Sequence, residues 1–261
     1  MLARPLAALA AATICASCSQ WDQPVNIPFV ATWQGEAIAC SSADSALTDL
    51  RFYVSNVQLV DTQGQRHDVR FATELAWQND AVAYIDLEDG TGACQNGTAD
   101  TFDHVLGVAG AREYQGLRFT VGVPFKLNHA NPLTAKPPLD DPDMHWHWRS
   151  GYKFLRAGVR TDDDGFWIHS GSAGCMGTVG NITGCKFPNR IEVFLPDFVV
   201  GEDAVSIDLT ELLTGVDLDD ATRSDCSSGP PEESCLAPFA ALGIDFTTGE
   251  QNGAQRVFSV Q

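Results

Sequence analysis

The sequence lacks two features that would point to a membrane or to nucleic acid: long apolar segments and positive charge. Beyond the N-terminus, no stretch approaches the roughly 20 apolar residues that a membrane-spanning helix requires. Lysine and arginine together number 16 against 34 aspartates and glutamates, and the formal net charge is −18. This charge opposes binding to nucleic acid and to anionic lipid. We therefore predict no nucleic-acid partner, and membrane contact only through a lipid anchor.

The N-terminus has the pattern of a signal peptide over residues 1–18. Arg4 precedes an apolar, alanine-rich run that is too short to span a membrane, and small residues follow that run. Cys18 follows Ala16 and Ser17, as the lipidated cysteine of a bacterial lipoprotein does, although Cys15 stands where leucine is usual. The pattern leaves open lipidation of Cys18 or simple cleavage nearby. Either outcome predicts an exported protein, periplasmic or on the cell surface.

The six cysteines beyond the signal peptide lack the tight C-x-x-C spacing that zinc sites favour. In an exported chain an even number of cysteines indicates disulfides, and six cysteines allow 15 connectivities. Two pairs each bracket a short loop rich in Gly, Ser or Pro, and pairing them locally leaves the remaining two for each other. The predicted disulfides are Cys175–Cys185, Cys226–Cys235 and Cys40–Cys94.

Helical signals are few, and apolar residues mostly alternate with polar ones in short runs bounded by Gly, Pro, Asn and Asp. We predict a mainly β fold, an antiparallel β-sandwich-like single domain with disulfide-stapled loops. The chain without its signal is about 240 residues long, which suits one such domain. Residues 73–77 are a short helix candidate, and residues 208–213 resemble a strand running into a capped turn. The predicted strands are 50–60, 81–87, 114–123, 146–159, 165–169, 190–195 and 205–209.

Histidines and tryptophans alternate at residues 145–148. On a strand, His145 and His147 would face one side and Trp146 and Trp148 the other. If the indoles point inward, a site beside them must take its histidines from other strands, and His129 and His169 are the candidates. A hairpin through residues 161–165 would bring the strand of His169 alongside that of the tryptophans.

Imidazole ligands suit copper, zinc, iron or nickel, and the absence of a spare thiolate favours copper over an iron–sulfur centre. A simpler interpretation stays open, in which His129 caps a turn, His169 is a half-buried hydrogen-bonding residue and the aromatic run is core packing. Residues 162–165 fit a β-turn rather than a calcium loop, and neither Ser170 nor Ser172 lies in a nucleophile elbow. We therefore expect no catalytic residues and no enzymatic activity.

Three motifs are more specific than these patterns. They are Leu127-Asn128-His129, then Met144 to Trp148 leading into Ser150-Gly151-Tyr152-Lys153-Phe154, and then His169 to Cys175. Through them the chain resembles the MbnP-like copper-binding family of exported bacterial proteins, associated with copper handling in methanotrophs, over residues 25–258. Two departures are His147 in the middle of a W-x-W pattern and Ser170 where an apolar residue is more usual.

The resemblance implies copper as the cofactor, with His129 and His169 as ligands. It further implies that Trp146 or Trp148 is oxidised to kynurenine by a maturation partner, a MauG-like diheme peroxidase. Residues that could add secondary metal contacts are Met144, His145, His147 and Met176. The alternative is a non-catalytic exported β-sandwich that binds or interacts without copper.

Overall fold

The computed structural model describes residues 21–261 except residues 44, 74, 96, 162–164, 219–224 and 229–231. The predicted signal peptide, Cys18 and the three aspartates of the predicted turn at residues 162–165 lie outside the described residues. Within the described ranges, no helix is long and apolar enough to cross a bilayer.

Strands dominate the described residues, and the helices are short. The strands are β1 (Asp22–Trp33), β2 (Glu36–Ala37), β3 (Ala46–Asp61), β4 (Arg66–Asp68), β5 (Arg70–Phe71), β6 (Val82–Asp86), β7 (His104–Gly110), β8 (Tyr114–Val121), β9 (His145–His147), β10 (Gly151–Arg160), β11 (Gly165–Gly171), β12 (Ala173–Thr178), β13 (Asn181–Phe187), β14 (Ile191–Leu195), β15 (Val205–Asp208), β16 (Asp225–Ser227) and β17 (Phe258–Val260). The helices are α1 (Phe125–Asn128), α2 (Leu209–Leu212) and α3 (Leu236–Ala241), with 3₁₀ turns at Pro132–Thr134 and Glu233–Cys235.

The strands form two large sheets and a separate hairpin. The first sheet has the order β17-β15-β1-β7-β5, and β2 pairs with β1. The second has the order β14-β8-β3-β10-β11-β16, with β4 and β6 on β3 and β9 on β10. Among the described residues, strands β12 and β13 pair only with each other. Pairing is antiparallel except between β1 and β15 and between β11 and β16. The predicted mainly β class is confirmed.

The main core lies between the two large sheets. Phe29 of the first sheet makes edge-to-face contacts with Phe52 and Phe119 of the second, at centroid distances of 5.6 and 5.8 Å. Because side chains alternate along a strand, Leu50 and Phe52 of β3 point into this core. Burial of such apolar side chains stabilises the fold by about 1.5–3 kcal/mol each.

A second apolar cluster covers the outer face of the second sheet. Tyr53 of β3 belongs to it, together with Tyr152 and Met144. The Tyr53 hydroxyl donates to the Pro138 carbonyl at 3.2 Å, which holds the segment leading to β9 against the sheet. The candidate site therefore forms on this outer face, away from the main core.

All three predicted disulfides are present, so the pairing of Cys40 with Cys94, Cys175 with Cys185 and Cys226 with Cys235 is confirmed. The capped turn is confirmed too, since the Asp208 side chain accepts hydrogen bonds from the backbone N–H groups of Thr210 and Glu211 at the start of α2.

Two element predictions are wrong. The predicted strand 146–159 is divided into β9 and β10 by a turn at residues 148–150, and Gly151 after that turn has a φ of +83°. The helix predicted at residues 73–77 is absent among the described residues of that segment, where Leu75 forms an isolated bridge with Gln78. The Gln78 amide donates to the carbonyls of Ala72 and Leu106, which holds a tight turn in place of a helix.

Candidate metal centre

His129 stands at the C-terminal end of α1, where Asn128 anchors it to the start of β10. The buried Asn128 side chain accepts a hydrogen bond from the Tyr152 backbone N–H at 2.8 Å and donates one to the Ser150 carbonyl at 3.0 Å. The Phe125 ring packs edge-on against the imidazole, at a centroid distance of 4.8 Å. His129 is therefore held beside the turn that follows β9.

The two ring nitrogens of His129 have different surroundings. Nε2 lies 3.3 Å from Asn128 Nδ2 and 3.4 Å from Cys185 Sγ. Nδ1 is buried without a hydrogen-bond partner among the described residues. Burial, reinforced by the positive charge of Arg190, lowers the pKa of His129. The imidazole is thus favoured in its neutral form, which is the form that binds metals.

The neighbour of His129 is the disulfide across the β12–β13 hairpin. Cys175 pairs with Cys185 in the hairpin register, and their sulfurs are bonded. Ligand atoms of His129 and the two cysteines all lie within 4.8 Å of one another, the one such group of three His, Cys, Asp or Glu residues found among the residues the structure describes. In the disulfide state neither sulfur is a thiolate, so only the imidazole is a metal donor.

His169 lies on the outer face of β11 and does not belong to this group of three. Its neighbour Ile168 points into the core, so His169 projects the other way. It pairs with Arg156 of β10 and with Ser227 of β16, which confirms that β10 and β11 form a hairpin. Burial lowers the pKa of His169 to about 4, and the positive charges of Arg156 and Lys153 add to the effect. This imidazole is also neutral near pH 7.

The two tryptophans have different positions. The half-buried Trp146 in β9 packs close to Gly171, where an added Cβ would lie 3.4 Å from indole Cε3. Gly171 and His169 are two residues apart in β11 and so lie on one face. Trp148 lies in the turn after β9, with the Arg149 guanidinium 5.0 Å from its ring. The predicted alternation therefore ends at His147, and the two indoles do not extend from one continuous strand.

Of the four predicted secondary contacts, His145 and His147 do not belong to the group formed by His129 and the disulfide. Met144 is buried in the outer cluster, whereas Met176 is 63% exposed on β12. His145 packs edge-on against the Tyr152 ring at a centroid distance of 5.2 Å, and burial lowers its pKa. His147 is exposed, and its Nδ1 accepts a hydrogen bond from the Arg149 backbone N–H.

The contact between His129 and Cys185 was not predicted from the sequence. Cysteine spacing predicted the disulfide, but His129 and Cys185 are 56 positions apart and no local pattern links them. Only the packing of the β12–β13 hairpin against α1 brings them together.

Comparison with known proteins shows the family of the chain. The family model described as MbnP matches residues 22–228. The solved structure "MbnP from Methylosinus trichosporium" superimposes with a TM-score of 0.79 at 26% sequence identity, covering 92% of this chain and 98% of that one. No curated protein matches the chain.

Proposed function

The chain belongs to the MbnP family, and from that premise we propose that it is an exported copper-binding protein with His129 and His169 as ligands. The observation that carries the proposal is the His129 imidazole, a part-buried ring held in place by Asn128 and Phe125 and favoured in its neutral form. The three disulfides are compatible with export to an oxidising compartment. We expect a role in copper binding or handling, with no catalytic role.

The donor set suits copper. Both imidazoles are neutral near pH 7, because burial lowers the pKa of each. Neutral imidazole is a good copper ligand, and a site with few ligands suits Cu(I). When bound, copper would supply a soft, redox-active cation, and the protein would supply the nitrogens and the surrounding aromatic shell. Asn128 would keep the His129 ring in its orientation.

We further propose that one tryptophan, Trp146 ahead of Trp148, is oxidised to kynurenine by a MauG-like diheme peroxidase. Tryptophan offers only an N–H donor, whereas kynurenine carries an aryl amine and a ketone with lone pairs. Trp146 is the better candidate because its indole packs on β11, the strand that carries His169. Trp148 lies beside the exposed His147 and Arg149 instead.

Copper content measured by elemental analysis after dialysis tests the ligand assignment. His129→Ala and His169→Ala should each abolish stoichiometric binding. His67→Ala and His104→Ala are matched controls that should bind fully, because these imidazoles pair with Asp61 and Asp103 away from the site. Full copper in the double His129/His169 variant would contradict the assignment and redirect attention to His145 and His147. Wild-type protein without copper would favour the metal-free interaction module.

Tandem mass spectrometry of the peptide covering residues 144–153 tests the kynurenine. Loss of one carbon and gain of one oxygen should add about 4 mass units to one tryptophan in protein matured with the peroxidase. Protein expressed without the peroxidase is the control and should be unmodified. An unmodified peptide in fully copper-loaded, matured protein would refute the kynurenine while leaving the histidine ligands in place.

A further inference from the structure

The Cys175–Cys185 disulfide is the most accessible of the three. Cys40, Cys94, Cys226 and Cys235 are 0–2% exposed and Cys175 is 6% exposed, whereas Cys185 is only partly buried. Exchange requires a thiolate to reach a disulfide sulfur, so exposed disulfides are the labile ones. A dithiol reductant should therefore attack this disulfide before the other two.

The hairpin that carries this disulfide lies outside both large sheets. Strands β12 and β13 form a two-stranded sheet of their own, and Met176 and Val179 are 63% and 73% exposed. Breaking the cross-link would leave both large sheets and the main core intact. The two cysteines can thus change oxidation state while the domain stays folded.

The hydrogen-bond network indicates which nitrogen of His129 carries the ring proton. The Asn128 amide is oriented by the Tyr152 N–H on its oxygen and the Ser150 carbonyl on its nitrogen. Its second N–H then donates to His129 Nε2, so the ring proton is assigned to Nδ1. Nε2, the unprotonated nitrogen, also lies 3.4 Å from Cys185 Sγ, a disulfide sulfur that has no proton to donate.

We propose that His129, Cys175 and Cys185 form a redox-gated metal site, closed while the disulfide is intact and open to a thiolate-preferring d¹⁰ cation, Zn²⁺ or Cu⁺, after reduction. Two thiolates and one imidazole are a donor set that both ions favour. The three ligand atoms already lie within 4.8 Å of one another. The site shares His129 with the proposed copper centre but needs neither His169 nor a kynurenine.

The opening step balances as a thiol–disulfide exchange. An external dithiol supplies two electrons that cleave the Sγ–Sγ bond, its two protons pass to the protein sulfurs, and it leaves as a disulfide. Binding of Zn²⁺ then releases the two thiol protons to solvent.

Zinc titration of the copper-free full chain tests the proposal independently of copper binding. The protein is treated with a dithiol under native, anaerobic conditions, and alkylation with peptide mapping identifies the reduced pair. We expect Cys175 and Cys185 alone to be reduced, and about one Zn²⁺ per chain to bind in competition with a chromophoric chelator. The oxidised protein and the Cys175→Ser/Cys185→Ser variant should bind none.

His129→Ala should weaken zinc binding by the reduced protein at least about tenfold, whereas the control His67→Ala should not change it. If His129→Ala does not fold, Co²⁺ replaces the variant: the reduced wild type should show sulfur-to-cobalt charge transfer together with imidazole coordination. Reduction only after unfolding, no zinc uptake after reduction, or equal affinity in a folded His129→Ala variant would each overturn the proposal. Cobalt bound by sulfur without imidazole would overturn it as well.

Discussion

At the scale of single residues, Asn128 connects the candidate ligand to the tryptophan-bearing turn. Its side chain bonds the backbone on both sides of Gly151, through Ser150 and Tyr152, and also reaches His129. These partners belong to different elements, so this one amide aligns α1 with β10.

Asn128→Ala should lower the free energy of unfolding by about 1–3 kcal/mol, because the buried groups it satisfies lose their partner. Denaturant unfolding measures the loss. The matched control is Asn131→Ala, since the exposed Asn131 side chain accepts only the Leu133 backbone N–H at a 3₁₀ turn. Loss of the Asn131 cap should lower the free energy of unfolding by no more than about 1 kcal/mol. Equal losses in the two variants would contradict the anchoring role of Asn128.

The raised pKa of Asp86 predicts that the stability of the protein depends on pH. Burial, with the nearby charge of Glu88, raises its pKa from 3.8 to about 8. Between about pH 4 and pH 8 the folded protein therefore holds a proton that the unfolded chain has lost, so the contribution of Asp86 to the free energy of unfolding falls as the pH rises.

Asp86→Asn should remove this fall. The free energy of unfolding of the variant, relative to that of the wild type, should therefore increase from about pH 5 to pH 8. Urea unfolding across that range provides the measurement. Asp100→Asn, at an exposed position nearby, is the control and should track the wild type. A relative stability that does not change with pH would show that Asp86 titrates normally.

At the scale of elements, the turn between β9 and β10 decides where Trp148 lies. The apolar pattern runs on through residues 146–159, but the left-handed conformation of Gly151 reverses the chain so that β9 pairs back on β10. An added Cβ at Gly151 would lie 2.3 Å from the Asn128 carbonyl oxygen.

Gly151→Ala should therefore destabilise the protein by more than about 2 kcal/mol, combining left-handed strain with a backbone clash. Gly180→Ala separates the two causes, because Gly180 has a φ of +72° and no atom within 4 Å of the added Cβ. It should cost only the strain, about 1–2 kcal/mol. Equal costs in thermal or denaturant unfolding would show that the clash relaxes without loss.

At the scale of the whole molecule, the disulfides close loops of very different length. Cys40 and Cys94 are 54 residues apart, whereas Cys226 and Cys235 are only 9 apart. A cross-link stabilises mainly by restricting the unfolded chain, so the longer loop contributes more.

Replacing Cys40 and Cys94 by serine should lower the free energy of unfolding by ~4 kcal/mol, against ~3 kcal/mol for Cys226 and Cys235. Both pairs are almost fully buried, so the second double variant matches the first in burial. Denaturant unfolding compares the two. A larger loss for the short loop would mean that local packing outweighs chain entropy.

The sequence by itself determined what depends on local pattern. Alternation of apolar residues located β3, β6, β8, β11, β14 and β15 to within a few residues, since one buried face requires a period of two. Short loops between cysteines predicted two disulfides, and the two remaining cysteines were then predicted to form the third. The motifs around His129, Trp146 and His169 identified the family.

Tertiary structure decided what depends on distant partners. Strand β1 contains Pro24 and Pro28, which argue locally against a central strand, yet it lies between β15 and β7 in the first sheet. Residues 73–77 have a helical pattern, but the Gln78 amide donates to the Leu106 carbonyl and accepts from the Leu106 N–H, which fixes a turn there instead. The contact of His129 with Cys185 depends on the tertiary fold, which places the β12–β13 hairpin beside the end of α1. Local preferences are weak compared with the burial and hydrogen bonding of residues far apart in the chain, so packing decided the surroundings of the site.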